Sequence, residues 1–261
     1  MVVYKYLTPD RVDVLEHSRI RFTQPAALND PFEMFPCFLQ YGPWLLKTAH
    51  QRAIDKYGPE AAQSTLPERE HLVVKKLLEF PSAVSKYFVI LSLSRIPDNV
   101  LMWSHYADSH RGFLIGFDSD HDFLKSGPSK AYFGLKDVEY SDDRYVLKEG
   151  EIDTIADPEI RDSFIGVFYR KGTYWKYEQE MRLLALPQHA NAVLPQAGVC
   201  DVRLFSFPPS CIREVVFGFR MTDETQHRLF DIVRDKFPNA TIAKAFPHQS
   251  KFGVYIKSFA G

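Results

Sequence analysis

The sequence predicts an α+β fold: a mixed, mainly antiparallel sheet with helices packed on it. Three observations carry that expectation. Strand-like stretches outnumber helical ones, their order is irregular, and two of them, Tyr87–Ser94 and Gly112–Phe117, are almost continuously apolar. Irregular order argues against a doubly wound parallel sheet, which needs strand and helix to alternate. Continuous apolar strands belong in the middle of a sheet that is covered on both faces. A chain of 261 residues buries enough apolar surface to hold a core without disulfides. One domain over residues 1–261 is the expected organisation.

Taken in order, Val2–Leu7 reads as a strand, and Thr8-Pro9-Asp10 opens a short helix to about Ser18, with Pro after a capping Thr. Arg19–Thr23 alternates polar and apolar, the mark of a second strand. Pro25–Pro36 is a loop. Residues 44–57 and 67–80 are expected to be helical, because Leu72, Val73, Leu77 and Leu78 recur near every 3.6 residues. Asn99–Ala107 reads as a short helix between the two apolar strands, Ala131–Tyr140 contains a strand, and Asp157–Phe168 reads as a helix. Tyr174–Leu186 reads as one long strand, since Trp175, Tyr177, Gln179 and Met181 alternate with Lys176, Glu178, Glu180 and Arg182. Val202–Phe207 and Ile212–Gly218 are strands, Thr222–Lys236 is a helix capped by Thr222, and Thr241–Phe246 and Val254–Ile256 read as edge-type strands.

Composition removes several function classes. A formal net charge of -1, from 32 basic and 33 acidic residues, supplies no global field to draw in nucleic acid or an anionic membrane. No apolar run approaches the length of about 18 residues that a spanning helix needs, and the N-terminus carries no signal-peptide pattern. A cytoplasmic protein is the expectation. The three cysteines, Cys37, Cys200 and Cys211, are odd in number and match no zinc spacing, so they read as reduced core thiols. Glycine-rich phosphate loops, His-Glu-x-x-His and Gly-x-Ser-x-Gly are all missing from the sequence, and no metal is expected.

The candidate chemistry sits in three segments. In Lys171–Arg182, a strand would project Glu178, Glu180 and Arg182 from one face, with the carboxylates about 7 Å apart. Such a stripe can stabilise a developing cation or hold a sugar hydroxyl, and it can equally be a solvated ion-pair face. In Met102–Gly112, Trp103 or Tyr106 can stack on an aromatic base, Ser104 lies beside them, His105 suits acid–base work, and Arg111 can pair with a phosphate. The plainer alternative is an amphipathic edge of the core. In Asn29–Glu33, Asn and Asp before Pro favour a turn, while Asn29 and Glu33 can also wall a cleft.

Together these segments resemble the bacterial domain-of-unknown-function 2971 family. The resemblance rests on Tyr4-Lys5-Tyr6, on Asn29–Glu33, on Met102–Phe117 and on Lys171–Arg182, in that order. It implies that the segments share one site. A looser similarity, of motif order alone, is to ADP-ribosyltransferases, which hold NAD in the cleft of a split mixed sheet. That similarity implies Tyr4 or Lys5 in the first motif, where the family usually has Arg or His, Ser104 or Tyr106 in the second, and Glu178 or Glu180 in the third. The expected activity is transfer of ADP-ribose from NAD to a macromolecular acceptor, or NAD hydrolysis. Glu180 would meet the charge that develops at the ribose, Glu178 would orient the acceptor or a water, and Tyr106 would stack on nicotinamide. Lys5 and Arg111 would hold phosphates, and Arg182 would fix the glutamates. The alternative is a non-catalytic nucleotide-sensing or protein-interaction module of a bacterial stress or phage-defence system.

Overall fold

In the computed structural model, described over residues 1–30, 32–37, 66–125, 134–147, 165–196 and 200–259, the chain divides into two compact units. The first comprises Met1–Thr23, Val89–Val138 and Tyr174–Gly261, the second Gln24–Phe88 and Glu139–Thr173.

Among the described residues, the first unit is built on an eight-stranded sheet. Its strands are β1 (Val2–Leu7), β3 (Val89–Ser94), β4 (Phe113–Asp118), β5 (Lys136–Asp137), β8 (Glu180–Ala185), β11 (Ile212–Phe217), β12 (Thr241–Pro247) and β13 (Val254–Ser258). They lie in the order β13-β12-β11-β4-β1-β3-β8-β5. Every neighbouring pair is antiparallel except β11 and β12, which run parallel. Parallel neighbours need a crossover, and α5 (Asp223–Lys236) supplies it, with the Thr222 hydroxyl accepting from Thr225 N as its cap. Among the described residues, β2 (Arg19–Phe22), β9 (Ala192–Leu194) and β10 (Val202–Ser206) make a second antiparallel sheet. A mixed α+β fold with a large, mainly antiparallel sheet is thus what these residues form.

Period two sorts the side chains. Val3 and Leu7 of β1 join Leu91, Phe113, Ile115 and Val215 in one core, which Leu229 and Val233 of α5 cover. Tyr4 and Tyr6 join Leu114 and Val216 on the opposite face, covered by Met102 and Trp103 of α3 (Val100–Tyr106). Both faces of the central strands are therefore buried, which is why β3 and β4 are nearly all apolar.

Along β1 and β3 the ladder registers at Tyr4↔Ser94. Farther along the same edge of β3, Ile90 exchanges both backbone hydrogen bonds with Thr23, at 2.7 and 2.8 Å. Between these two points the Lys5 ammonium donates to the Ser92 carbonyl at 3.0 Å. A side chain thus takes the place of ladder bonds at a fork between strands.

The second unit contains α2 (Leu66–Val84), the parallel pair β6 (Glu139–Tyr140) and β7 (Arg170–Lys171), and the 3-10 turns Pro25–Ala27 and Ile165–Tyr169. Phe88 packs on Phe168 with ring centroids 4.7 Å apart. The α1 helix (Asp13–His17) and α4 (Asp122–Lys125) complete the described helices.

Several expectations are corrected. The strand expected over Tyr174–Leu186 starts only at Glu180, because Thr173–Glu178 is a 3-10 helix and Gln179 has φ 43°. Two side chains capture the carbonyls that a strand would have offered to its ladder: Asn99 Nδ2 donates to Tyr177 O at 3.2 Å and Ser94 Oγ to Glu178 O at 2.6 Å. The described part of Ala131–Tyr140 is two short strands parted at Val138, whose N–H donates to Glu180 O. Strand β12 lies inside the sheet, with β13 at its edge. The helix expected at 44–57 lies outside the described residues, as does most of Asp157–Phe168. Cys211 is a buried core thiol, pushed up to about 12 by burial, while Cys37 and Cys200 are half-buried. Among the described residues no helix is long and apolar enough to cross a membrane.

Candidate functional site

The first unit gathers Lys5, Tyr106, Glu178, Glu180 and Arg182 from three separate stretches of chain. The assembly starts at Asn99. Its Oδ1 caps α3 by accepting from Leu101 N and Met102 N, at 2.9 and 3.1 Å, as a short polar side chain does at an N-cap. Its Nδ2 holds Tyr177 O, so the helix start and the turn before β8 are tied by one residue. At the other end of α3 the Tyr106 hydroxyl donates to Glu178 Oε1 at 2.6 Å. Glu178 is only 3% exposed, and a buried carboxylate requires such donors.

Glu180 and Arg182 are two apart on β8 and share a face, as the strand period requires. Arg182 Nε donates to Glu180 Oε1 at 2.7 Å and its Nη2 to Oε2 at 3.0 Å, a bidentate pair. Arg182 is fully enclosed and Glu180 is 5% exposed. The Lys5 ammonium feels both glutamates. Burial is the larger effect and pulls its pKa down to about 8, against the upward pull of Glu180 and then Glu178.

Backbone strain surrounds the cluster. Gln179, between the two glutamates, has φ 43°, and Asp108, Ser109 and His110 have φ of 45°, 51° and 68°. Left-handed backbone costs a non-glycine residue about 1–2 kcal/mol and gathers at functional positions. The run after α3 is closed by Gly112, where a Cβ would lie 2.0 Å from the Leu7 carbonyl oxygen. His110 stacks on Trp103 at 5.8 Å and 8°, and its Nδ1 is enclosed without a hydrogen-bond partner among the described residues. Burial, then Arg220, holds its pKa below the ordinary histidine value.

Other expected residues sit differently. Trp103 is fully buried, donates from Nε1 to Pro97 O at 2.8 Å and packs edge-on against Tyr6 at 5.6 Å. It is a core residue and offers no face to a ligand, which corrects the stacking role. Ser104 Oγ donates back to Val100 O within its own helix. His105 is exposed, its ring 6.3 Å from that of Tyr106. Arg111 is exposed and pairs locally with Asp108 at 3.5 Å. Tyr4 donates to Glu214 Oε1 at 2.7 Å, and burial, then Glu214, raises its hydroxyl pKa. Asn29 and Glu33 belong to the second unit. There Asn29 is exposed beside a turn made by Asp30 Oδ1 and Phe32 N, while Glu33 pairs with buried Lys171 at 3.7 Å.

Two positioning residues escaped the sequence reading, Ser94 and Asn99. A polar residue closing an apolar strand and an Asn before a helix were the available signals. Among the described residues no cluster of His, Cys, Asp and Glu is arranged to hold a metal ion. Neither a curated protein nor a solved structure matches the chain. Residues 102–183, the stretch that carries Tyr106, Glu178, Glu180 and Arg182, are similar to the family described as Protein of unknown function (DUF2971).

Proposed function

We propose that the chain is an enzyme of nucleotide chemistry that breaks the bond between nicotinamide and ribose in NAD and passes ADP-ribose to a macromolecular acceptor or to water. One observation carries this reading: the buried Glu178 carboxylate, gripped by Tyr106, lies within electrostatic reach of a lysine and beside a strained peptide. In such a reaction the bonding pair leaves with nicotinamide and positive charge builds at the ribose C1. A fixed carboxylate stabilises that charge without having to reorganise. Glu178 suits the role better than Glu180, because Arg182 already engages both Glu180 oxygens. Glu178 also takes the proton from the incoming hydroxyl as the new C1–O bond forms. Tyr106 fixes its rotamer, and Arg182 fixes Glu180.

The test is nicotinamide release from NAD by the purified chain, followed by chromatography. Glu178→Gln is expected to keep the fold and lose about 10²-fold or more in turnover. Turnover equal to wild type in that variant removes Glu178 from the mechanism. A wild-type chain that neither releases nicotinamide nor gains thermal stability with NAD overturns the whole reading.

A second reading rests on the mutual neutralisation of Glu180 and Arg182. A cluster whose charges cancel internally suits a non-catalytic nucleotide-sensing module, such as a bacterial stress or phage-defence sensor would use. A ligand bound only by the native state raises stability by RT ln(1 + [L]/Kd). Stabilisation by NAD, ADP-ribose or ATP without turnover favours this module over the enzyme.

A further inference from the structure

Arg21 is a half-buried guanidinium on β2 whose Nε is enclosed and has no hydrogen-bond partner among the described residues. Its neighbourhood adds positive charge. The antiparallel bridge Thr23↔Ile90 sets Arg21, two residues back, level with Ser92. Ser92 O is the carbonyl that accepts from Lys5 Nζ. Arg11, in the turn that follows β1, is engaged through Nε by Asp13 at 3.0 Å. The Arg11 and Arg21 charges both reach Lys5, and Arg11 reaches Arg21. Like charges held together in a partly desolvated place repel one another. A fold that keeps them so gains from a shared anion, and guanidinium forks match phosphate oxygens. Arg182 engages Glu180, while Glu178 keeps its charge and acts on Lys5; Arg11 and Arg21 are the pair whose mutual repulsion an anion would relieve.

We infer that Lys5, Arg11 and Arg21, at the fork where β1, β3 and the end of β2 meet, form a binding site for a phosphate or diphosphate group. The inference rests on the NAD reading for the identity of its natural ligand only. With NAD bound, this site would hold the pyrophosphate while Glu178 faces the ribose. Arg111, exposed and paired with Asp108, is then unnecessary for that task.

The probe is inorganic pyrophosphate, titrated calorimetrically into the full chain at fixed ionic strength. Saturable one-to-one binding is expected, weakened about tenfold or more by Arg21→Ala, the loss of a charge-assisted hydrogen bond. Arg11→Gln is expected to weaken it as well, and both variants should melt cooperatively. Among the described residues Arg21 makes no side-chain hydrogen bond, so Arg21→Ala keeps the test readable even if Arg11→Gln misfolds. No saturable binding, or equal affinity in Arg21→Ala, overturns the site. Nicotinamide release on the same proteins separates this inference from the activity. Pyrophosphate held through Arg21 without any release keeps the anion site and removes NAD as substrate. Release with an unchanged KM in Arg21→Ala keeps the activity and removes NAD's pyrophosphate from this site, whose existence the pyrophosphate titration decides.

Discussion

The Tyr106 hydroxyl meets the Glu178 carboxylate at 2.6 Å across 72 residues of chain, joining the end of α3 to the turn that enters β8. A hydrogen bond to a buried charged acceptor contributes about 1.5–3 kcal/mol. Tyr106→Phe is therefore expected to cost about 2 kcal/mol in urea unfolding, with no change in secondary structure. The bond is shared, so Tyr106→Phe and Glu178→Gln should couple. The double variant is expected to lose less stability than the two single losses together. Strict additivity in the unfolding midpoints would show that the two side chains do not bond.

Much of this arrangement was legible in the sequence, for identifiable reasons. Strands β1, β3 and β4 announce themselves because both faces of the central sheet are buried, and Thr222 marks the start of α5 because its hydroxyl has a backbone amide to cap. Glu180 and Arg182 share a face because they are two apart on a true strand. Glu178 obeys no such rule. A single residue, Gln179, turns left-handed, and the two carbonyls just before it are taken by Asn99 and Ser94 from elsewhere in the chain. Alternation cannot register one dihedral angle. Trp103 shows the complementary limit: an aromatic residue on a short helix has the same periodicity whether it faces a ligand or, as here, the core. The bond from Lys5 to the Ser92 carbonyl could not be read from the sequence for a third reason. It arises from where β1 and β3 part, a property of pairing that neither strand carries alone.

The Glu180–Arg182 pair is expected to punish half-removal. Both groups are buried, so deleting one removes the other's bidentate partner. Arg182→Met is expected to cost about 3–5 kcal/mol, read from the denaturant midpoint. Replacing both, as Glu180→Leu with Arg182→Met, is expected to recover most of that loss, since a well-packed apolar pair avoids the desolvation that the ions incur. A double variant no more stable than Arg182→Met would mean that the pair does more than cancel its own charges.

Gln179 offers a test of strain. Its φ of 43° is one that glycine adopts without steric cost. Gln179→Gly removes about 1–2 kcal/mol of left-handed strain but adds about 0.5–1 kcal/mol of chain entropy. The net expectation is a gain of up to about 1.5 kcal/mol in unfolding free energy. Gln179→Val, β-branched and poorly suited to positive φ, is expected to lose stability instead. If both variants were equally destabilised, the side chain of Gln179 and not its backbone would be what matters there.

Lys5 makes the clearest pH prediction. Burial holds its pKa near 8, below the ordinary lysine value of 10.5, with Glu180 and Glu178 opposing that shift. Below pH 8 the amine is charged in both the folded and the unfolded chain, and the cost of burying that charge is fully present. Between about 8 and 10.5 the unfolded chain binds more protons than the folded one, so this contribution to stability rises with pH. Lys5→Met has no such titration, although it forgoes the hydrogen bond to Ser92 O. The stability of wild type minus that of Lys5→Met should therefore climb as pH goes from 8 to 10.5 and stay level between 6 and 7.5. Chemical denaturation of both proteins across that range reads the difference directly, and other alkaline titrations cancel in it. A difference that stays flat above pH 8 would place the Lys5 ammonium in a solvated setting and remove the charge-burial account of the fork.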